Sequence, residues 1–267
     1  MVAVVLGEAD VAVAFSGQSC DLRKIAELAE RYNFTVIEDA SHAVGASYAG
    51  RPVGCGDFAA MTVFSFHPVK IITSAEGGMV LTNRPALAER LRRLRSHGMT
   101  RDPEHMTEPS HGAWYYQQVE LGFNYRITDL QAALGLSQLR KLDEFVARRR
   151  ELAARYDQLL AYLPLTLPSA QPEADSAWHL YVVRVQTERC NLSHRQVFEG
   201  LRNAGIGVNL HYIPVHLQPY YREQGFCPGD FPAAEAYYSE ALTLPLHAGM
   251  LDSEQDQVIA ALREVLL

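Results

Sequence analysis

The apolar run AAMTVFSF, which reads as a buried strand, leads through HPV directly into Lys70. An ammonium taken out of water loses hydration that little inside a protein replaces, so a lysine here needs a reason. Two readings are open: a side chain that snorkels back to water, or an amine meant to lose its proton and attack a carbonyl. Asp39 ends an earlier β-rich run, FTVIEDA, and taken alone is a solvent-facing acid at the start of a loop. Taken together the two residues say more. A carboxylate to face a pyridinium nitrogen and a lysine to hold an aldehyde are the two fixed needs of pyridoxal phosphate chemistry. The carboxylate keeps the ring nitrogen protonated so that the ring can accept electrons, and the released lysine moves the proton. Desolvation favours this by lowering the lysine pKa.

Both residues must be delivered to one place. VAVVL and VAVAF, in the first fifteen residues, read as short strands. Asp21 caps a helix with Leu22, Ile25, Leu28, Ala29 and Tyr32 on one face, and FTVIEDA follows at once. Strand, helix, strand at this spacing is a βαβ unit, which favours a parallel sheet covered by helices. Chemistry in such sheets collects beyond the carboxyl ends of the strands, where Asp39 falls. A Gly-rich connection, YAGRPVGCGDF, precedes the Lys70 strand, and EGGMVLTN predicts another strand after it.

Pro85 opens a helix with Leu87, Leu91 and Leu94 inward and Arg90, Arg92, Arg93 and Arg95 as a solvated face, closed by Gly98 at C′. Residues 99–125 form a long polar loop containing HGAWYYQQ, the kind of loop that carries function. Thr128 with Gln131 starts a very long helix through Leu160, bent at Gly135, and the domain boundary is placed along it. Beyond it the spacing predicts strand HLYVVRV, a helix capped by Ser193 and Gln196, strand GVNLHY, a Pro-rich loop and two helices, the last capped by Asp252 with Gln255.

The chain has 267 residues, 48% hydrophobic and 21% charged, enough for a sizeable core in one large or two modest domains. A formal net charge of −7 argues against a general nucleic-acid binder. Four scattered cysteines form no CxxC, so neither a zinc site nor a disulfide framework is suggested. MVAVVLGEAD has no basic region and long apolar core of a signal peptide, and no run is long enough to span a bilayer. A cytoplasmic protein is expected.

EDASHAVGA, GDFAAMTVFSFHPVK, SAEGGMVLTN, LRSHGM, LGFNYRITDLQAALGLSQL, HYIPVHLQPYY and LPLHAGM resemble, in order and spacing, the sugar aminotransferases of the DegT–DnrJ–StrS group. The resemblance covers essentially the whole chain. It implies the α/β fold-type I, aspartate-aminotransferase-like architecture, with pyridoxal 5'-phosphate as cofactor. Residues 1–140 would be the remainder of the large domain and 141–267 a smaller C-terminal α/β domain. FSGQSCD, VHLQPYY and GDFPAAEAYY look most like the pseudaminic acid pathway branch, which aminates C4 of a UDP-linked 4-keto-6-deoxy sugar with L-glutamate as donor.

By this resemblance Lys70 is the Schiff-base lysine and Asp39 the partner of the pyridine nitrogen. His42 matches a Gln or His that contacts the cofactor ring; its plain alternative is a hydrogen-bonded histidine at a helix start. Ser65 matches a phosphate ligand and is otherwise a core serine. Asn124 matches an asparagine reaching the phosphate of a partner subunit, which implies a homodimer with shared active sites. Arg126 either pairs with the donor's carboxylate or braces its loop. His211 and His216 would border the nucleotide-sugar pocket; as metal ligands they lack a third partner. Tyr116, with Trp114 and Tyr115, either stacks on base or sugar or anchors its loop. The family also has an N-terminal block that adds a backbone phosphate cradle and a stacking aromatic residue. Residues 1–20 match the family only after that block, so a truncated large domain is expected.

Two other functions are weighed: a related sugar dehydratase, in which histidine replaces the lysine this chain retains, and a truncated, non-catalytic binding or regulatory module.

Overall fold

The computed structural model describes residues 8–267. Its first sheet has four strands: β1 (Ala9–Val13), β2 (Thr35–Asp39), β3 (Met61–Ser65) and β4 (Gly78–Leu81), in that spatial order. β1 and β2 are joined by helix α1 (Leu22–Tyr32), and β1, β2 and β3 run parallel. β4 runs antiparallel to β3, so the parallel sheet expected from the βαβ unit carries one antiparallel edge strand. The reason is the connection. Residues 66–77 hold no helix to carry the chain back, and Phe66 N–H donates to the Gly77 carbonyl at 2.8 Å, turning β4 back on β3. The expected strand VAVVL lies outside the described residues, whereas VAVAF is β1 with a turn beyond it.

Asp21 caps α1 as expected, accepting the Lys24 amide at 3.3 Å, and Asn33 ends the helix in the left-handed conformation. Alternation in β2 sends Val36 and Glu38 into the core and sets Asp39 at the strand end. The buried Glu38 carboxyl accepts the Thr62 hydroxyl at 3.0 Å, and burial raises its pKa. The two neighbouring acids of FTVIEDA therefore face opposite ways.

Helix α2 spans Pro85–Leu94. Arg93 departs from the expected solvated face: it is largely buried and bonds Glu120 at 2.7 Å and Glu89 at 2.8 Å. The chain leaves α2 through left-handed His97 and Gly98, two residues later than a C′ glycine would. Gly98 and Gly122 pack backbone to backbone. A Cβ on Gly122 would collide with the Gly98 nitrogen, and one on Gly98 with the Glu120 carbonyl oxygen.

The very long helix is two helices, α3 (Asp129–Leu139) and α4 (Leu142–Leu160). Thr128 and Gln131 form the expected capping box, but the break is at Arg140–Lys141, not at Gly135. Leucines continue across the junction, so sequence periodicity does not mark it. Next come β5 (Leu165–Thr166), β6 (Tyr181–Val185), α5 (His194–Asn203), α6 (Pro232–Glu240), β7 (Ala241–Leu244) and α7 (Asp252–Leu266). β6 is the core of HLYVVRV, paired antiparallel to β5 and β7. GVNLHY is not a strand; it makes a single bridge from Asn209 to Thr243. The wholly buried β7 was not expected, because ALTL is a short apolar run between helix and loop signals. Ser193 and Gln196 cap α5. At α7, Asp252 is already helical, and Glu254 takes the N–H of Leu251.

α4 joins two cores. Val146, with Leu142 and Phe145 beside it, packs under the first sheet with Ala40, Ala43 and Phe64. Nearly two turns further, Leu152, Tyr156 and Leu160 enter the core made with β6, β7, α5 and α7. Leu160 is fully buried there, and the Tyr156 hydroxyl donates to the Pro245 carbonyl at 2.9 Å. Leu160→Ala should cost about 2–5 kcal/mol by leaving a cavity. Tyr156→Phe, which removes one hydrogen bond, should cost about 1 kcal/mol. Urea unfolding of the two variants measures both.

Candidate active site

β2 and β3 are adjacent and parallel, with Asp39 opposite Val63. Both strands therefore finish on the same edge of the sheet. Asp39 is the last residue of β2, and its Oδ1 accepts the Ser41 amide at 3.0 Å, which turns the chain away and fixes the carboxylate. β3 ends at Ser65; the chain then turns through His67 and Pro68, and Lys70 N–H donates back to the His67 carbonyl at 2.9 Å. Ser65 Oγ accepts the His67 amide at 3.4 Å, so it lies at the root of the Lys70 turn.

Lys70 is partly buried, and desolvation lowers its pKa from the ordinary lysine value, opposed by the charge of Asp39. Three histidines share its surroundings. His42 is buried; desolvation, then the Lys70 charge, push its pKa down to about 4, against the pull of Asp39. His211 holds Nδ1 2.8 Å from Thr243 Oγ1, and burial and Lys70 lower its pKa. His179 lies behind His42 with ring centroids 4.4 Å apart, and its pKa is pushed to about 2, chiefly by burial. Phe15 and Tyr212 complete the wall: Phe15 sits 5.8 Å from His42 and 6.2 Å from Tyr212.

The fold thus gathers Lys70, Asp39, His42 and His211, with Ser65 at the base of the lysine turn. Other candidates sit elsewhere. His216 is buried with Nε2 2.8 Å from a Glu235 carboxylate oxygen, and its ring packs on Phe231. Asn124 and Arg126 lie exposed on a strap fastened to the end of α2: Phe123 N–H donates to Leu94 O at 2.7 Å and Tyr125 N–H to Arg95 O at 3.0 Å. Tyr116 is exposed in the loop after Gly112, where the Tyr115 ring packs against His111 at 4.5 Å, tilted by 30°. Phe15, Ser16, His179 and Tyr212 were not singled out from the sequence. The usable signals were a Ser-Gly turn right after a strand, in FSG, and a histidine directly before one, in WHLY.

The set has the chemistry that a pyridoxal ring needs. It offers a carboxylate, a partly desolvated amine and a neutral imidazole face. It also contains one buried nitrogen, His179 Nδ1, that has no hydrogen-bond partner.

A sheet carrying a lysine turn and a carboxylate at its carboxyl edge, followed by a smaller α/β unit, is the architecture of the fold-type I pyridoxal-phosphate-dependent transferases. The chain belongs to the DegT/DnrJ/EryC1/StrS aminotransferase family, whose profile matches residues 8–263. It is 40% identical over 263 residues to the spore coat polysaccharide biosynthesis protein SpsC of Bacillus subtilis, covering 97% of this chain and 67% of that protein. Among solved structures, Helicobacter pylori PseC, an aminotransferase involved in pseudaminic acid biosynthesis, superposes with a TM-score of 0.85 at 29% identity. That match covers 96% of this chain and 66% of PseC. The putative sugar aminotransferase Spr1654 of Streptococcus pneumoniae, in its PMP form, gives a TM-score of 0.86 at 30% identity over 97% of this chain and 69% of that one. The chain spans about two thirds of the length of these relatives.

Burial that keeps His42 neutral couples folding to pH. Its folded pKa of about 4 lies below its ordinary 6.5, so the unfolded chain takes up this proton first as pH falls. Stability present above pH 6.5 is then lost as pH drops toward 4, with an upper bound of roughly 3 kcal/mol for this group. Urea unfolding from pH 8 to pH 4 should show this decline, and His42→Gln should make it shallower without removing it, because His179 and His211 are also held below their ordinary values.

Proposed function

We propose that the chain acts as a pyridoxal-phosphate-dependent sugar aminotransferase, moving the amino group of L-glutamate to C4 of a UDP-linked 4-keto-6-deoxy sugar in surface-glycan, pseudaminic-acid-type biosynthesis. The observation that carries the reading is the convergence of Lys70, Asp39 and His42 on one sheet edge, in a chain of this family. The likeness to PseC, of pseudaminic acid biosynthesis, and to SpsC, of spore coat polysaccharide biosynthesis, supports a surface-glycan pathway.

When bound, the cofactor supplies an aldehyde conjugated to an electron-accepting ring. Lys70 would hold the aldehyde, Asp39 the ring nitrogen, His42 the ring face and Ser65 the phosphate. Lys70 Nζ carries the protons. It takes one from the α-carbon of the amino donor and, in the second half of the cycle, delivers one to the former carbonyl carbon of the sugar. Partial burial raises the fraction of Lys70 free to accept a proton near neutral pH. Arg126 is assigned to the donor carboxylate, and His211 and Tyr116 to the border of the nucleotide-sugar pocket, with His216, buried and held by Glu235, assigned to bracing that border from behind.

Asn124 is assigned to the phosphate of a second copy, in a homodimer with shared sites. An apolar surface around it supports that reading. Leu121 is 88% exposed, Leu130 is 85% exposed, and α3 has no buried residue. Units 1–140 and 141–267 are assigned; the two separate cores support two units, with α4 shared between them, since Leu142, Phe145 and Val146 pack in the first core and Leu152, Tyr156 and Leu160 in the second. No helix among the described residues is long and apolar enough to cross a membrane, and a cytoplasmic location is assigned.

Incubation with pyridoxal phosphate followed by borohydride should leave a phosphopyridoxyl mass on the peptide carrying Lys70. Lys70→Ala should lose that label and about 10³-fold or more of turnover. A label on another lysine, or none, contradicts the assignment. A deoxygenated product in place of an amino sugar would favour the related dehydratase.

A further inference from the structure

His42 is held in place by parts of the chain far from it in sequence. Its Nδ1 accepts the backbone N–H of Ser16 at 3.3 Å. An amide can only donate, so the neutral imidazole must carry its proton on Nε2. Ser16 makes this bond from a left-handed conformation, φ 61°, followed by Gly17 at φ 101°. The turn has no room to relax. A Cβ on Gly17 would lie 2.9 Å from the backbone nitrogens of Trp178 and His179 and 3.1 Å from the His42 carbonyl oxygen. Two further bonds pin it, Ala177 N–H to Gly17 O at 3.0 Å and Leu180 N–H to Ser16 O at 3.3 Å.

The other jaw of the clamp is residues 178 and 179. The His179 ring lies on His42, inclined by 50°. Behind it Arg149 of α4 donates from Nη1 to the carbonyls of Trp178 at 3.1 Å, His179 at 3.2 Å and Leu246 at 3.0 Å. Arg149 is only 6% exposed, and among the described residues no carboxylate pairs with it. Its Nε is buried without a partner, so the three carbonyls on Nη1 are its hydrogen-bond compensation, and moving the 178–179 backbone would strip a buried cation of two of them.

We propose that Arg149 and His179 are positioning residues. Arg149 fixes the Trp178–His179 backbone, His179 packs on the imidazole, and the trapped Ser16–Gly17 turn holds His42 in one orientation with its proton on Nε2. The result is a hydrogen-bond donor beside Lys70 that adds no positive charge. The charged and titratable groups bearing on this pair are Lys70, His211 and Arg149, which oppose protonation, and Asp39, which favours it for His42. Burial adds to the opposition, holding His42 near 4 and His179 near 2. The inference rests on His42 belonging to the active site but not on which reaction occurs there.

The test is nitrogen NMR of ring-labelled histidine in the cofactor-free protein between pH 8 and pH 4. Wild-type His42 should show a single neutral state, protonated on Nε2, with a midpoint near 4. Arg149→Met and His179→Ala should move that midpoint up toward 6.5 by about 1 or more and populate the Nδ1-protonated form. His179→Phe, which refills the space with a ring, should restore most of the wild-type behaviour. If Arg149→Met fails to fold, Arg149→Lys and His179→Ala decide. Folded variants that keep the wild-type His42 titration and tautomer overturn the proposal, as does wild-type His42 with its proton on Nδ1. A chain that passes this test yet transfers no amino group would refute the aminotransferase reading alone.

Discussion

The parallel pairing of β2 with β3 is the constraint on which the candidate site depends. Parallel neighbours end on the same edge, so a carboxylate closing one strand and a lysine turn following the other meet without any long-range side-chain contact to guide them. An antiparallel partner in place of β3 would have put Lys70 at the opposite edge from Asp39. The strands then separate the two acids of β2 by alternation. Glu38 goes inward to Thr62, where burial raises its pKa, and Asp39 stays at the edge.

Charge in this region is controlled mainly by removing water. Lys70, His42, His179 and His211 are all pushed toward their neutral forms, with desolvation as the largest cause for each. The cationic forms also repel one another, so each neutral group lightens the burden on its neighbours. Arg149 is the exception. It stays a buried cation, lowered only to about 10, with Nη1 donating to three backbone carbonyls and Nε left without a partner. That choice joins residues preceding β6 to the turn that follows β1, since Arg149 holds the Trp178–His179 backbone that packs on Ser16 and Gly17.

Much of this was readable in the sequence where local chemistry decides structure. Asp21, Thr128 and Ser193 cap helices because a short polar side chain can take an orphan amide only at a helix start. Lys70 stands out because charge at the end of an apolar run is costly unless it has a use, and Asp39 gains its meaning only when paired with that lysine. The misses have a different character. The break at Arg140–Lys141 lies within an unbroken leucine pattern, and β7 is too short for its periodicity to register. Arg93 reads as one of four surface arginines until Glu120, on a distant loop, is seen to reach it. His179 and Arg149 are invisible for a similar reason. Their partners are backbone atoms and one imidazole brought together only by the docking of residues 177–180 on the Ser16–Gly17 turn.

The central claim is that this sheet edge holds a pyridoxal ring between Lys70 and Asp39. A crystal structure of the protein soaked with pyridoxal phosphate tests it most directly. Density continuous from Lys70 Nζ to the cofactor, with the ring nitrogen within hydrogen-bond distance of the Asp39 carboxylate, is the predicted result. Cofactor bound elsewhere, or bound at Lys70 with its ring nitrogen turned away from Asp39, would contradict the account.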